Sequence, residues 1–511
     1  MLFTGTATTS GGMAAHHIST ARVQLPALKT WGALLMLTVA SFAIHGYHVG
    51  FDDQAVWLPA IKHALDPTLY PRSSEFFLAQ TKYSLFPELI AQLTRWSGLS
   101  VESVVLACHF VSIFVVLAAC WLLAVRVFTT ELGRWGAVAT IAGARLMIAS
   151  GSRLSIMDRY LHPRDIVTGA VLIGFSLLFT RRLRAFGVVA ASAMIHPTMA
   201  VIGSFHLAVQ AWRFEKKALF CVAPPVLALF FNPVRNPAWQ RVIESRGFLL
   251  PLRWHGYEWL GVVVPLAMLG WFAHVARAHG KTALAHLASR VAIAGVIGVV
   301  GAIAITTIPL LEGWIPTEPM RTLQLVYFFW IFIGGGLLAE LVLGNDVRRW
   351  LLWLAPLALT FFAVNAIGYP ATEKIELPGV RSKNQWIQAF TWVRVHTPKD
   401  AFFALNPYYM DLPGNDGHGF RALAERGAMA DGLKDRAVTA NAPELAKEWA
   451  NQMRALNGWE DFRRPDFAAL KKLWLVDWVV VERRSRRTPD PNEDGLDCPY
   501  ENTAVFICRI R

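Results

Sequence analysis

Two adjacent carboxylates, Asp52 and Asp53, follow the first hydrophobic span and open a long loop. A carboxylate lodged beside apolar surface gains proton affinity by desolvation, which suits a general base. The competing reading is helix capping, in which an acid at a helix start accepts backbone N–H bonds. A second cluster places Arg153, Asp158, Arg159, His162, Arg164 and Asp165 within thirteen positions. The arginine fork donates two hydrogen bonds at fixed geometry, which fits phosphate oxygens. The plain alternative pairs Asp158 with Arg159 and Arg164 with Asp165 as caps and headgroup anchors. Arg145 lies inside an apolar run, where a central arginine costs about 2.5–3.5 kcal/mol. It either snorkels outward or extends the basic cluster inward. A third segment, Glu312 to Arg321, leads into a span holding Gln324 and Tyr327. Arg321 there can close a site from the other side, although the segment by itself is a capped turn.

The elements that position these groups are membrane helices. The 511 residues are 54% hydrophobic and 17% charged, too apolar for one soluble core. Apolar runs near 28–47, 103–125, 134–150, 166–180, 217–231, 258–276, 289–311, 321–343 and 350–368 are candidates to cross the ~30 Å hydrocarbon layer. Residues 1–27 read as a disordered cytoplasmic lead-in, 28–369 as a multi-pass domain and 370–511 as a soluble domain. Within 184–212, Pro197 disfavours helix at His196, so the segment reads as two short helices, with one kinked helix as the alternative. The long first loop, 48–102, holds helical patterns at Gln54–Leu65 and Pro87–Trp96 that would lie along the membrane surface.

Charge assigns the sides. Residues 1–369 hold 28 Lys/Arg and 16 Asp/Glu, whereas 370–511 hold 21 and 20. With the segment split at His196-Pro197, one face collects 14 basic residues against four acids, and the other has 12 of each. Positive-inside makes the first face cytoplasmic, giving about eleven crossings and an extracytoplasmic C-terminal domain. This placement accounts for the basic excess and sets aside nucleic acid as a partner.

After residue 380 the pattern alternates between helix and strand. Helices are expected at Trp386–Val395, Ala442–Leu456 and Pro465–Trp474, with strands at Ala401–Leu405, Trp478–Glu482 and Val505–Arg509, a small α/β sheet. Asn406 to His418 follows the first strand and carries Tyr408, Asp411 and Asp416, candidates for an acceptor loop. An ordinary surface loop is the competing reading. Cys498 and Cys508 either pair in an oxidising compartment or remain two thiols.

The first outer loop opened by Asp52-Asp53, the short helix pair at His196-Pro197 and an external C-terminal domain resemble the C-type (GT-C) membrane glycosyltransferase superfamily. That superfamily includes protein mannosyltransferases, lipid A aminoarabinose transferases and oligosaccharyltransferases. The chain lacks the oligosaccharyltransferase Trp-Trp-Asp signature, which argues against that subgroup. A closer likeness is to bacterial multi-pass membrane proteins of unknown function, through the Asp-Asp-Gln loop, His162-Pro163-Arg164, and Trp392 to Asp400. The resemblance implies sugar transfer from a polyprenyl-phosphate donor on the outer face of the bacterial inner membrane. Membrane lipid and lipid-linked sugar would be the partners. Asp52 or Asp53 would be the base, and Arg159, His162 or Arg164 would hold the phosphate. Divalent metal serves only part of the superfamily, and no ligand set for one stands out in the sequence. The rival readings are a transporter or flippase for a lipid-linked glycan and a scaffold without catalysis. Against transport, the charges gather in loops and no internal repeat is visible.

Overall fold

The computed structural model describes residues 27–144, 155–212, 236–483 and 493–511. Arg145, Arg153 and the apolar run 217–231 lie outside them. Among the described residues, six helices are long and apolar enough to cross a membrane: Leu28–His45, Val101–Val127, Gly256–Ala278, Thr282–Thr307, Pro319–Leu343 and Val347–Gly368. We label the first α1 and the second α5, with α2 (Gln54–Leu65), α3 (Glu75–Thr81) and α4 (Phe86–Ser97) in the loop between them.

Hydropathy suggests more crossings than these six because it does not register where helices break. The run near 134–150 forms α6 (Glu131–Gly143), 13 residues ending at Gly143. The run near 166–180 forms α7 (Pro163–Leu177), 15 residues begun by His162 as cap and Pro163. At 1.5 Å per residue neither reaches the ~30 Å of a hydrocarbon layer. Residues 184–212 form α8 (Arg182–Ser192) and α9 (Pro197–Ala211), which pack on each other. The break falls at His196, whose ring nitrogen accepts the Met199 N–H. Proline at the first helical position loses no hydrogen bond there, so a new helix starts instead of a kink.

The Pro319–Leu343 span runs through the centre of the bundle, with Tyr327, Phe328 and Phe329 fully buried. Helix α6 lies against it because Gly136 has no side chain. A Cβ there would come within 2.7 Å of the Gly335 carbonyl.

The C-terminal sheet has the order β2-β1-β3-β5-β4. Strand β1 (Phe402–Leu405) runs parallel to β2 (Gly427–Ala428) and β3 (Trp478–Glu482). Strands β3, β5 (Val505–Ile510) and β4 (Leu496–Glu501) are antiparallel neighbours. β1 and β3 are buried apolar runs flanked by helices, as parallel strands require. A disulfide joins Cys498 to Cys508 across β4 and β5. The helix expected from Ala442 begins instead as a short 3-10 turn at Pro443–Leu445, and the α-helix spans Ala446–Ala455.

The first loop forms a layer between bundle and sheet. Helix α2 is not a surface helix: nine of its twelve residues, Gln54 to Lys62, are buried. Trp57, Leu58 and Ile61 share one core with Phe390, Phe403 and Phe420 of the sheet domain. Lys62 is sealed there between Glu102 and Glu425, 2.8 Å from each, and 3.0 Å from the Ala422 carbonyl. Helix α4 does expose an apolar side, Leu89, Leu93 and Trp96, as an interfacial helix would.

Candidate active site

A cavity of about 920 Å³ opens where the bundle, the first loop and the sheet domain meet. Asp52 and Asp53 line it from the start of α2. Arg321 lines it from the start of one span, and Ile367 and Gly368 from the end of another. Arg246 lines it from the segment between Pro237–Ser245 and Gly256–Ala278, and Lys434 and Arg436 from the sheet domain's Lys434–Asn441 helix.

The two acids are held differently. Asp52 adopts a left-handed backbone, φ +51°, a conformation uncommon outside glycine. Its N–H donates to the Gly417 carbonyl at 3.0 Å. Gly417 is needed there: its own φ is +82°, and a Cβ would press on the Phe51 ring at 2.7 Å. Asp53 stands at the cap position of α2 but makes no side-chain capping bond. Its Oδ1 accepts from Lys434 Nζ at 2.7 Å, and its Oδ2 lies 3.5 Å from His162 Nε2. Lys434 also bonds Asp52 Oδ1, and the Tyr160 hydroxyl donates to Asp52 Oδ2 at 3.4 Å.

Burial by itself would raise the Asp53 carboxyl. Lys434, then His162 and Arg164, outweigh it and hold the group well below the usual carboxylate range. The desolvated, raised acid suggested by sequence is therefore not what Asp53 is. It is a persistent anion, and Lys434 is the reason. Burial also works against the Lys434 ammonium, yet Asp52 and Asp53 hold it above its ordinary range.

His162 has a defined tautomer. Its Nδ1 accepts the Arg164 N–H at 2.9 Å, so the proton of the neutral ring sits on Nε2, facing Asp53. Burial and then Arg164 push its pKa down, which keeps the ring neutral.

The arginines divide into two groups. Arg164 lines the cavity, but its Nη2 is committed to both Asp158 oxygens at 2.7 and 2.6 Å. Asp158 pairs with Arg164 and is not among the residues lining the cavity, while the Asp158 N–H donates to Asp165 at 3.3 Å. Arg159 stacks its guanidinium on the Tyr369 ring at 4.8 Å. Across the cavity, Glu318 pairs with Arg321 at 2.6 Å and Arg246 at 3.4 Å. Arg321 Nη1 and Arg436 Nε are buried without a hydrogen-bond partner. Burial, opposed by Glu318 and reinforced by Arg436, lowers the Arg246 guanidinium. Arg164 Nε is likewise buried without a hydrogen-bond partner, so each wall keeps at least one guanidinium donor to spare.

Of the loop after β1, Asp411 and Asp416 reach the cavity and Tyr408 does not. Asp416 Oδ2 is engaged by the Ala371 N–H at 2.9 Å and the Thr372 hydroxyl at 2.7 Å. Sequence reading missed Lys434, Arg246 and Arg436. The one available signal was the basic residues of the segments that sequence assigns to the non-cytoplasmic face, which positive-inside does not explain.

No protein-family profile and no curated sequence matches the chain. Among solved structures, the apo crystal structure of the Archaeoglobus fulgidus oligosaccharyltransferase is similar at 11% identity, with a TM-score of 0.49, covering 88% of this chain and 69% of that one.

Proposed function

We propose that the chain is a multi-pass membrane glycosyltransferase that moves a sugar from a polyprenyl-phosphate donor to a hydroxyl or amine acceptor. The reading is carried by one juxtaposition: a single cavity is lined by the adjacent carboxylates Asp52 and Asp53 and, across from them, by Arg321 and Arg436, which keep unpartnered donors. The cavity opens beside the ends of apolar spans, where Ile367 is 79% exposed, so a lipid-borne headgroup can reach it.

In this mechanism the acceptor's nucleophilic atom attacks the anomeric carbon and the carbon–phosphate-oxygen bond breaks. Asp52 or Asp53 takes the acceptor proton, and Arg321, Arg246 and Arg436 stabilise the phosphate leaving group. Lys434 and the His162 Nε2 proton hold the two carboxylates in place. Asp411 and Asp416 would border the acceptor.

The sidedness follows the same reading. The face opposite the cavity carries Arg126, Arg134, Arg277, Lys281, Arg348 and Arg349, the positive-inside pattern of a cytoplasmic side. The sheet domain and the cavity then lie outside the bacterial inner membrane. An eleven-crossing topology would count the shorter helices as partial or paired crossings in addition to the six spans.

The test is turnover of a panel of polyprenyl-phosphate sugars by the purified chain in nanodiscs, alongside Asp52→Asn, Asp53→Asn and Arg321→Ala. Turnover abolished in one folded Asp variant would name the base. Binding of the lipid without turnover, unchanged by either Asp substitution, would move the assignment to a flippase or scaffold.

A further inference from the structure

Outside the cavity, three side chains from distant parts of the chain converge in a buried cluster. His48 follows α1, Glu376 follows the last span, and His418 lies in the loop after β1. All three are buried, and their ligand-type atoms lie within 4.8 Å of one another. Glu376 Oε1 is 3.0 Å from His48 Nδ1 and 2.8 Å from His418 Nε2.

We propose that His48 Nδ1, Glu376 Oε1 and His418 Nε2 bind one divalent transition-metal ion, with a fourth position left to water. Two imidazoles and a carboxylate form a donor set suited to zinc and its neighbours. The supporting contacts are those that metal ligands use. His418 Nδ1 is 2.8 Å from the Asn415 carbonyl and must donate to it, which turns the Nε2 lone pair inward. The second oxygen of Glu376 accepts the Val49 N–H at 3.0 Å, which fixes the carboxylate plane.

An ion between His418 and Glu376 would also engage His48, whose Nδ1 faces the same Glu376 oxygen. Tetrahedral bonds of about 2.0–2.1 Å separate neighbouring ligands by about 3.4 Å. Binding would open the two contacts by roughly half an ångström, within the reach of side-chain rotation.

The ion would clasp three segments that otherwise meet only through hydrogen bonds and packing. The His418 loop also accepts the Asp52 N–H through Gly417 and donates the Gly419 N–H to Gly50 at 2.8 Å. Metal binding at the cluster would thus steady the backbone that carries Asp52 and Asp53. The site is independent of the transferase reading, and its test needs no turnover.

The experiment is metal analysis of the full-length protein in nanodiscs, dialysed against micromolar zinc chloride and then against metal-free buffer. His418→Ala and Glu376→Gln are compared, the second because it preserves size and one acceptor should the first fail to fold. The wild type is expected to retain about one zinc per chain, with its melting midpoint raised by zinc. Glu376→Gln is expected to melt as a folded protein, hold at least about tenfold less zinc, and show no zinc-dependent shift. Less than about a tenth of an equivalent in the wild type, or equal retention in Glu376→Gln, would overturn the assignment.

Discussion

Replacing Lys434 by methionine tests the electrostatic logic of the site most directly. The ammonium lies 2.7 Å from Asp53 and also bonds Asp52, and the lysine side chain is 16% exposed. With an effective dielectric of about 40, between a protein surface and water, Coulomb's law gives ~3 kcal/mol for the Asp53 pair. That corresponds to about two pH units in the Asp53 carboxyl. His162 and Arg164 stay in place and keep the group from rising further. The sign follows from the lowered carboxyl: its stabilising pairing is present above the ordinary aspartate pKa and is lost as pH falls below it. In Lys434→Met the acid limb of the kcat/KM profile is therefore expected to move up by about two pH units, with Lys434→Arg staying near the wild type. Profiles would be measured on the lipid-linked sugar that the wild type turns over, with tryptophan fluorescence melts to confirm folding. A folded Lys434→Met protein whose acid limb coincides with that of the wild type would refute the reasoning.

Arg321→Ala leaves Glu318 paired with Arg246 alone and removes the buried Nη1 donor. Donor affinity in a binding titration with polyprenyl phosphate should fall about tenfold or more, whereas Arg159→Ala, which loses a Tyr369 stack, should stay within about threefold. Burial on β3 pushes Glu482 up to about 7, so its contribution to stability is complete below pH ~4.5 and lost as pH rises through 7. Glu482→Gln should melt higher than the wild type at pH 8, by up to about 3 kcal/mol of stabilisation, and match it near pH 5; equal melts at both values would disprove this. Lys62→Met leaves Glu102 and Glu425 with Arg394 alone, at 3.6 Å from each, and should destabilise the contact of the sheet domain with the bundle by about 1–2 kcal/mol, read as faster proteolysis between the two. Unchanged proteolysis would show that the apolar core alone holds them.

The parts of the fold that could be read along the chain were the local ones. Asp52-Asp53 and Pro197 carry their meaning in their immediate neighbours: a span that ends, and a ring that cannot continue a helix. Strands β1, β3 and β5 are apolar enough to be located within a residue, but β2 is two residues long and β4 (Leu-Asp-Cys-Pro-Tyr-Glu) is no apolar run and holds a proline. Lys434 could not be singled out. It sits among Asp431, Asp435 and Arg436, an ordinary helix start, and meets Asp52 across 382 residues of sequence. Similarly, the sequence does not show that Arg164 shares its guanidinium between the cavity and Asp158. Hydropathy located apolar runs at α6 and α7 but carried no information about the breaks at Gly143 and His162.

The interleaved first loop has a consequence for how the protein is made. Asp52 leaves the ribosome 382 residues ahead of Lys434, the cation that pins it. At typical synthesis rates of 5–20 residues per second the acids wait roughly 20–80 s for their partner. For most of that interval α2 has Phe86, Ile90 and Val104 as apolar neighbours but lacks the sheet-domain side of the core that later covers Trp57 and Ile61. The membrane bundle can insert early, yet a nascent or truncated chain has no assembled site. Completion of the last-made domain thus acts as a checkpoint on the first-made loop, and a chain stopped before Lys434 would lack the cation that pins Asp52 and Asp53.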